Sequence, residues 1–201
     1  IPSRVTDNKI LVTNDPGYEG RLRSQAHGDV QLVKAWLDGD WDAFVGQYFG
    51  MWDDKALHIE PFDIPIDWPI YGGLDYGEAS PTSFGLYTRD YDDRLIRIAE
   101  YYRADAAATE HARGVKELIE TCPFTQGRLP EAVFSDPSMW VTRRLSEAYS
   151  RAPADFFMDE NLYLVRANND RVSGWRVCKD LLYRKNFHIF AGGWNENFSR
   201  T

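Results

Sequence analysis

Three strand-forming runs stand close together in this chain, and a regular alternation of helix and strand follows them. Residues 70–75, 83–89 and 94–102 are rich in β-branched and aromatic side chains and are separated by turn-formers, Asp90-Tyr91-Asp92-Asp93 among them. Runs joined this tightly pair most simply as antiparallel neighbours. Residues 107–120 then carry Ala108, Ala112, Val115, Leu118 and Ile119 at helical spacing, and Cys122-Pro123 ends that pattern. A fourth strand is predicted over 132–135, a helix over 138–149 with Pro153 just beyond it, and a fifth strand over 162–165. Asn169 or Asp170 caps a helix running to about Tyr183, with Val172, Trp175, Cys178, Leu181 and Leu182 toward the core. A last strand covers 187–190. The order β-β-β-α-β-α-β-α-β predicts an α/β protein with a mixed sheet.

Ahead of this pattern the chain reads differently. Residues 1–30 are polar and turn-rich, and a helix is expected from Asp29 to Gly39 with Trp36 on its apolar face. Ile64-Pro65-Ile66-Asp67-Trp68-Pro69 has two prolines and reads as an extended lead-in to the first strand. The expected division is an arm over 1–60 and a main domain over 61–201. A start at Ile1, with no initiator Met, suggests a piece cut from something longer.

Composition excludes several classes. No apolar stretch has the length of a membrane span, and no secretory leader precedes the first element. Cys122 and Cys178 lie far apart, outside any metal-ligand spacing, so packing roles in a reduced, intracellular compartment are expected. Four scattered histidines make a His-based zinc site improbable. The net charge is −8, but residues 139–201 hold 10 basic and 7 acidic residues, a local excess of +3. That asymmetry suits phosphate contacts on one side of the fold, as it also suits ordinary solvated helix faces.

Two aspartates stand where strands should end: Asp75 in Gly72-Gly73-Leu74-Asp75-Tyr76-Gly77 and Asp136 in Val133-Phe134-Ser135-Asp136-Pro137. Turns favour Asp for reasons of their own. The element order argues for more, because a three-strand meander followed by alternating helices and strands is the order of the ribonuclease H-like fold. In that topology the first and fourth strands are neighbours, so Asp75 and Asp136 meet at one sheet edge. Carboxylates held that close repel and favour a bound cation. Hard ions such as Mg²⁺ prefer an oxygen-rich site, and two ions about 4 Å apart can assist phosphodiester cleavage.

These motifs resemble the nuclease domain of phage terminase large subunits, the DNA-packaging motors. Gly73-Leu74-Asp75-Tyr76-Gly77-Glu78 with Ser80-Pro81-Thr82 is similar to the first acidic motif of that family, and Phe134-Ser135-Asp136-Pro137-Ser138 to the second. Asp15-Pro16-Gly17-Tyr18, Leu37-Asp38-Gly39-Asp40-Trp41 and Gly46-Gln47-Tyr48-Phe49 are similar to its linker from ATPase to nuclease. Gly174-Trp175 and Phe187-His188-Ile189-Phe190 resemble its late helix and strand. The resemblance implies a metal-dependent endonuclease that cuts concatemeric DNA in the host cytoplasm, using Asp75 and Asp136 with two Mg²⁺ or Mn²⁺ ions. It further implies double-stranded DNA, an ATPase domain of the same polypeptide, a portal and a small terminase subunit as partners, and no membrane. The family's third catalytic aspartate has no match before Thr201, and no Gly-rich phosphate loop with Lys is present.

Glu100, near the end of the third strand, is a further candidate metal ligand, and Glu78 a candidate for holding water. Arg143, Arg144, Lys179, Arg184 and Lys185 are candidate phosphate contacts. Alternative readings are another ribonuclease H-like enzyme, a resolvase or an exonuclease, and a non-catalytic module of motor assembly.

Overall fold

The computed structural model describes residues 49–144 and 150–198, together with 17–25 and positions 9, 13, 15 and 37 of the arm. The chain divides into two compact units, Ile1–Trp52 and Asp53–Thr201. In the first, helix α1 (Tyr18–Gln25) carries an i,i+4 ion pair between Glu19 and Arg23 at 2.8 Å, and Arg21 pairs with Asp15. The helix expected over 29–39, Trp36 and Trp41 lie outside the described residues.

The second unit opens with a short helix, α2 (Asp54–Leu57), capped by the Asp53 carboxylate, and a two-residue strand, β1 (His58–Ile59). The lead-in to the next strand is extended, as its prolines require. It is clamped by Arg128, whose guanidinium donates to the carbonyls of Ile64, Ile66 and Trp68 at 2.9–3.0 Å. Then come β2 (Ile70–Asp75), β3 (Thr82–Arg89) and β4 (Leu95–Arg103), the antiparallel meander. Helix α3 (Ala108–Thr121) follows, with the Glu110 carboxylate accepting from the Ala107 amide at its start. Its buried stripe is His111, Ala112, Val115 and Ile119. Strand β5 (Ala132–Ser135) returns to the sheet.

Here the structure departs from the expected helix over 138–149 at its described residues, 138–144; residues 145–149 lie outside the described residues. Pro137–Trp140 forms one 3-10 turn, and Val141 is extended at φ −78°, ψ 117°. Strands β6 (Arg143–Arg144) and β7 (Ser150–Arg151) then pair as a short antiparallel ladder. Val141 and Thr142 are β-branched, and that stiffness favours extended backbone. Pro153 does not follow a helix but opens one, α4 (Pro153–Asp159), where its missing N–H costs nothing.

Strand β8 (Leu164–Arg166), helix α5 (Arg171–Tyr183) and strand β9 (Phe187–Phe190) complete the unit. Seven strands make one sheet in the order β1-β9-β4-β3-β2-β5-β8, with β5 parallel to β2 and β8 parallel to β5. This is the ribonuclease H-like mixed sheet, extended past β4 by two further parallel strands. The core lies on the face covered by α3 and α4, where Ile70, Leu74, Phe84, Leu86, Val115, Val133 and Phe157 are buried together. Each such side chain contributes about 1.5–3 kcal/mol by leaving water.

The apolar stripe expected on α5 is only partly buried. Leu182 is buried, whereas Val172 and Trp175 are 55% and 52% exposed and Cys178 is exposed. Of the two cysteines only Cys122 serves as a core residue. Periodicity marks an apolar face on α5 but cannot say whether a neighbour covers it.

Candidate active site at the ends of the parallel strands

Residue alternation along β2 puts Ile70, Gly72 and Leu74 in the core and sends Asp75 out at the strand's end, exposed. Gly72 is needed for the fit, since a Cβ there would stand 2.7 Å from the Phe84 ring. The loop after Asp75 is closed by Thr82, whose buried hydroxyl donates to the Gly77 carbonyl at 3.2 Å and accepts from the Gly77 amide at 3.1 Å. Tyr76 packs edge-on against His111 and Phe157. This anchors the chain one residue beyond Asp75.

Strand β5 delivers the second carboxylate. Leu74 is the register partner of Ser135, whose hydroxyl donates to the Leu74 carbonyl at 2.9 Å. Asp75 and Asp136 therefore leave adjacent parallel strands at the same level. Asp136 caps the following 3-10 turn and accepts from the Ser138 amide at 2.8 Å. Hydrogen bonds from Ser138, with lesser help from the Asn169 side chain and the Arg171 charge, hold the Asp136 carboxyl below the usual carboxylate range. It is ionised at neutral pH. The Asp75 side chain makes no hydrogen bond or ion pair to the described residues.

The third parallel strand brings in residues that sequence patterning did not mark. Ser135 is the register partner of Arg166 on β8, and the Ala167 amide donates to the Ser135 carbonyl at 2.8 Å. The Arg166 guanidinium lies 5.1 Å over the Trp140 ring. Asn169 and Arg171, at the start of α5, reach the surroundings of Asp136. Asp170 is spent as the α5 cap, accepting from the Val172 and Ser173 amides and the Ser173 hydroxyl. The advance signals are that Asn169 and Arg171 stand at a helix start following a strand, and that Arg166 and Arg171 belong to the basic excess of residues 139–201. Beside the Asp75 loop, a recess of about 250 Å³ lies between Tyr76, Glu78, Thr109 and Phe156. Arg151 lines it too, but is paired with Asp159 at 2.8 Å and stacked on Phe156.

Known structures share this arrangement of strands. The large terminase of a thermophilic bacteriophage superposes with a TM-score of 0.54 at 20% identity, over 72% of this chain and 33% of that one. The P22 large terminase nuclease domain gives 0.52 at 15% identity, over 72% of each chain. The fold is that of the phage large-terminase nuclease. The chain spans 33% of the thermophilic phage's terminase. No protein-family model and no curated protein matches the sequence.

Within the terminase-nuclease fold, the remaining candidates scatter. Glu100 sits on β4 opposite Gly85, two residues short of the level of Asp75, with its side chain 5% exposed. Both its oxygens are engaged, by the Asn197 amide and side chain, the Phe198 amide and Arg97. It is thus a fastening point for residues 195–198 and stands apart from the aspartate pair. Among the described residues no group of three metal-binding side chains converges. Arg143 and Arg144 lie on β6, not on a helix. Lys179 is in the middle of α5; Arg184 and Lys185 follow its far end, about 20 Å from Arg171 along the axis. Arg184 donates to Asp180 at 3.0 Å. Burial of charge thus removes Glu100, and helix length removes Arg184 and Lys185, from the neighbourhood of Asp136.

Proposed function

We propose that this chain is the metal-dependent endonuclease domain of a DNA-packaging terminase. The observation that carries the reading is the register of β2 on β5, which sets Asp75 beside Asp136 on a fold of this type. The two carboxylates suit a hard divalent cation: both offer oxygen, Asp136 is held ionised, and Asp75 has no competing described partner. Mg²⁺ or Mn²⁺ bound there, as one ion or two, supplies Lewis-acid stabilisation of the oxygens of a phosphodiester.

The protein's own contribution is orientation. The Ser138 amide ties one oxygen of Asp136 and so fixes the direction of its carboxylate. Thr82 and Tyr76 fix the loop that carries Asp75. Double-stranded DNA is the substrate in this reading, cut with little sequence preference because phosphate contacts position DNA without reading it. An ATPase domain in the same polypeptide, a portal and a small terminase subunit are the partners, and residues 1–52 are the connecting arm, shorter than the expected 1–60 because β1 belongs to the main sheet.

Two measurements test the proposal together. Mn²⁺ should raise the melting temperature of the wild-type chain but not of Asp75→Asn or Asp136→Asn, because only a bound ligand stabilises the native state. Mn²⁺-dependent nicking of supercoiled plasmid should disappear in the same variants. A folded wild-type chain that shows neither response sinks the nuclease reading and favours an assembly module.

A further inference from the structure

Most described guanidinium groups are already neutralised. Arg21, Arg23, Arg89, Arg94, Arg97, Arg103, Arg113, Arg151 and Arg184 each lie within 4.0 Å of a carboxylate. Arg128 is spent on backbone carbonyls. Arg166, Arg171 and, farther along α5, Arg176 have no described carboxylate at that distance, and the first two are set apart by where they stand. Neither Arg166 nor Arg171 lies within 4.0 Å of a described carboxylate, the Arg171 charge acting on Asp136 from farther off; both are exposed, and both flank Asp136: Arg166 from the end of β8, Arg171 from the start of α5. Trp140, in the turn that Asp136 caps, lies under the Arg166 guanidinium and restricts its motion.

An exposed arginine outside ion-pair distance of any described acid, held at the same edge as two carboxylates, can take an anion from elsewhere. A phosphodiester suits this role, because guanidinium offers two parallel donors to phosphate oxygens. We infer that Arg166 and Arg171 grip the DNA backbone beside Asp136, so that the duplex crosses the sheet edge from β2 over β5 to the β8–α5 junction. This assignment rests on the nuclease reading above. It replaces Arg184 and Lys185, at the far end of α5, as the phosphate-binding residues.

The test separates binding from cleavage. A fluorescent duplex is titrated with the full chain in EDTA at several salt concentrations, and anisotropy gives the affinity. Arg166→Gln/Arg171→Gln should weaken binding roughly 10-fold and flatten the log–log salt slope by about 2, near 0.9 for each phosphate no longer neutralised. Arg166→Lys/Arg171→Lys should recover most of both, which a merely misfolded variant would not. Arg89→Gln, at the opposite end of the sheet, should bind as wild type does. An unchanged salt slope in the double Gln variant, with wild type binding normally, overturns this inference alone. No binding by the wild-type chain overturns the nuclease reading with it.

Discussion

The Ser135 hydroxyl donates to the Leu74 carbonyl at 2.9 Å across two parallel strands, and the residue after each partner is an aspartate. One hydrogen bond and one register thus determine how two carboxylates leave the sheet. Ser135 is 2% exposed and Leu74 5%, so the frame beneath the carboxylates is buried while Asp75 itself is exposed. A buried frame carrying an exposed charged edge is a sound base for a preorganised site.

Substituting the carboxylates should separate activity from stability. Asp75→Asn is expected to lower Mn²⁺-dependent cleavage by at least about 100-fold, by analogy with the loss of metal-site groups. Its stability should change by no more than about 0.5 kcal/mol, because the side chain is exposed and unpartnered among the described residues. Plasmid nicking and urea unfolding of the same preparation check both parts.

Two glycines near the site should respond unequally to alanine. At Gly77 a Cβ would stand 2.0 Å from the Ser80 carbonyl oxygen and 2.6 Å from that of Pro81, which are backbone atoms and cannot turn aside. Gly77→Ala should cost about 1–3 kcal/mol and reduce cleavage by moving the Asp75 loop. At Gly73 the nearest atom would be 3.4 Å away, on the Tyr87 ring. Gly73→Ala should be close to neutral, and thermal melts of the two variants give the comparison.

Glu100→Ala should destabilise by about 3–5 kcal/mol, because it strands the buried Arg97 guanidinium. The amides of Asn197 and Phe198 lose their acceptor at the same time, so their hydrogen exchange should accelerate. Glu100→Gln keeps the shape and should leave the Mn²⁺-induced rise in melting temperature intact. Loss of that response would instead make Glu100 a metal ligand.

Acid should weaken the fold partly through His111. It is 1% exposed, its Nδ1 lies 3.0 Å from the Tyr101 hydroxyl, and Tyr76 packs edge-on against it. Burial, with the nearby Arg103 charge, pushes its pKa below the ordinary 6.5. The unfolded chain therefore takes up a proton near pH 6.5 that the folded chain resists, and stability falls as the pH drops below that value. His111→Gln should show a shallower loss between neutral pH and pH 5 in denaturant titrations, although its stability at pH 7.5 is lower.

Much of the fold is legible in the residue pattern alone. The strands 70–75, 132–135 and 187–190 form where their residue patterns place them, and the helix before Cys122-Pro123 begins and ends within a residue of expectation. The stretch after Asp136 is not legible in the same way. A helix is expected over 138–149, yet Val141 and Thr142 favour extended backbone, and the described residues 143–144 pair with 150–151 as a β6–β7 ladder. Short elements have too few residues for periodicity to outweigh local stiffness.

The sequence by itself determined the element order, and with it the adjacency of the strands that end in Asp75 and Asp136, because right-handed crossovers leave few topologies for that order. It determined too that both aspartates stand at strand ends. Only the tertiary structure decided which charges belong with them. Glu100 was withdrawn into a buried pair with Arg97, and Arg184 and Lys185 were carried to the far end of α5, while Arg166 and Arg171 arrived beside Asp136. Charge carries no periodic signature of its neighbours, so its partners are set by where the packed strands and helices bring it.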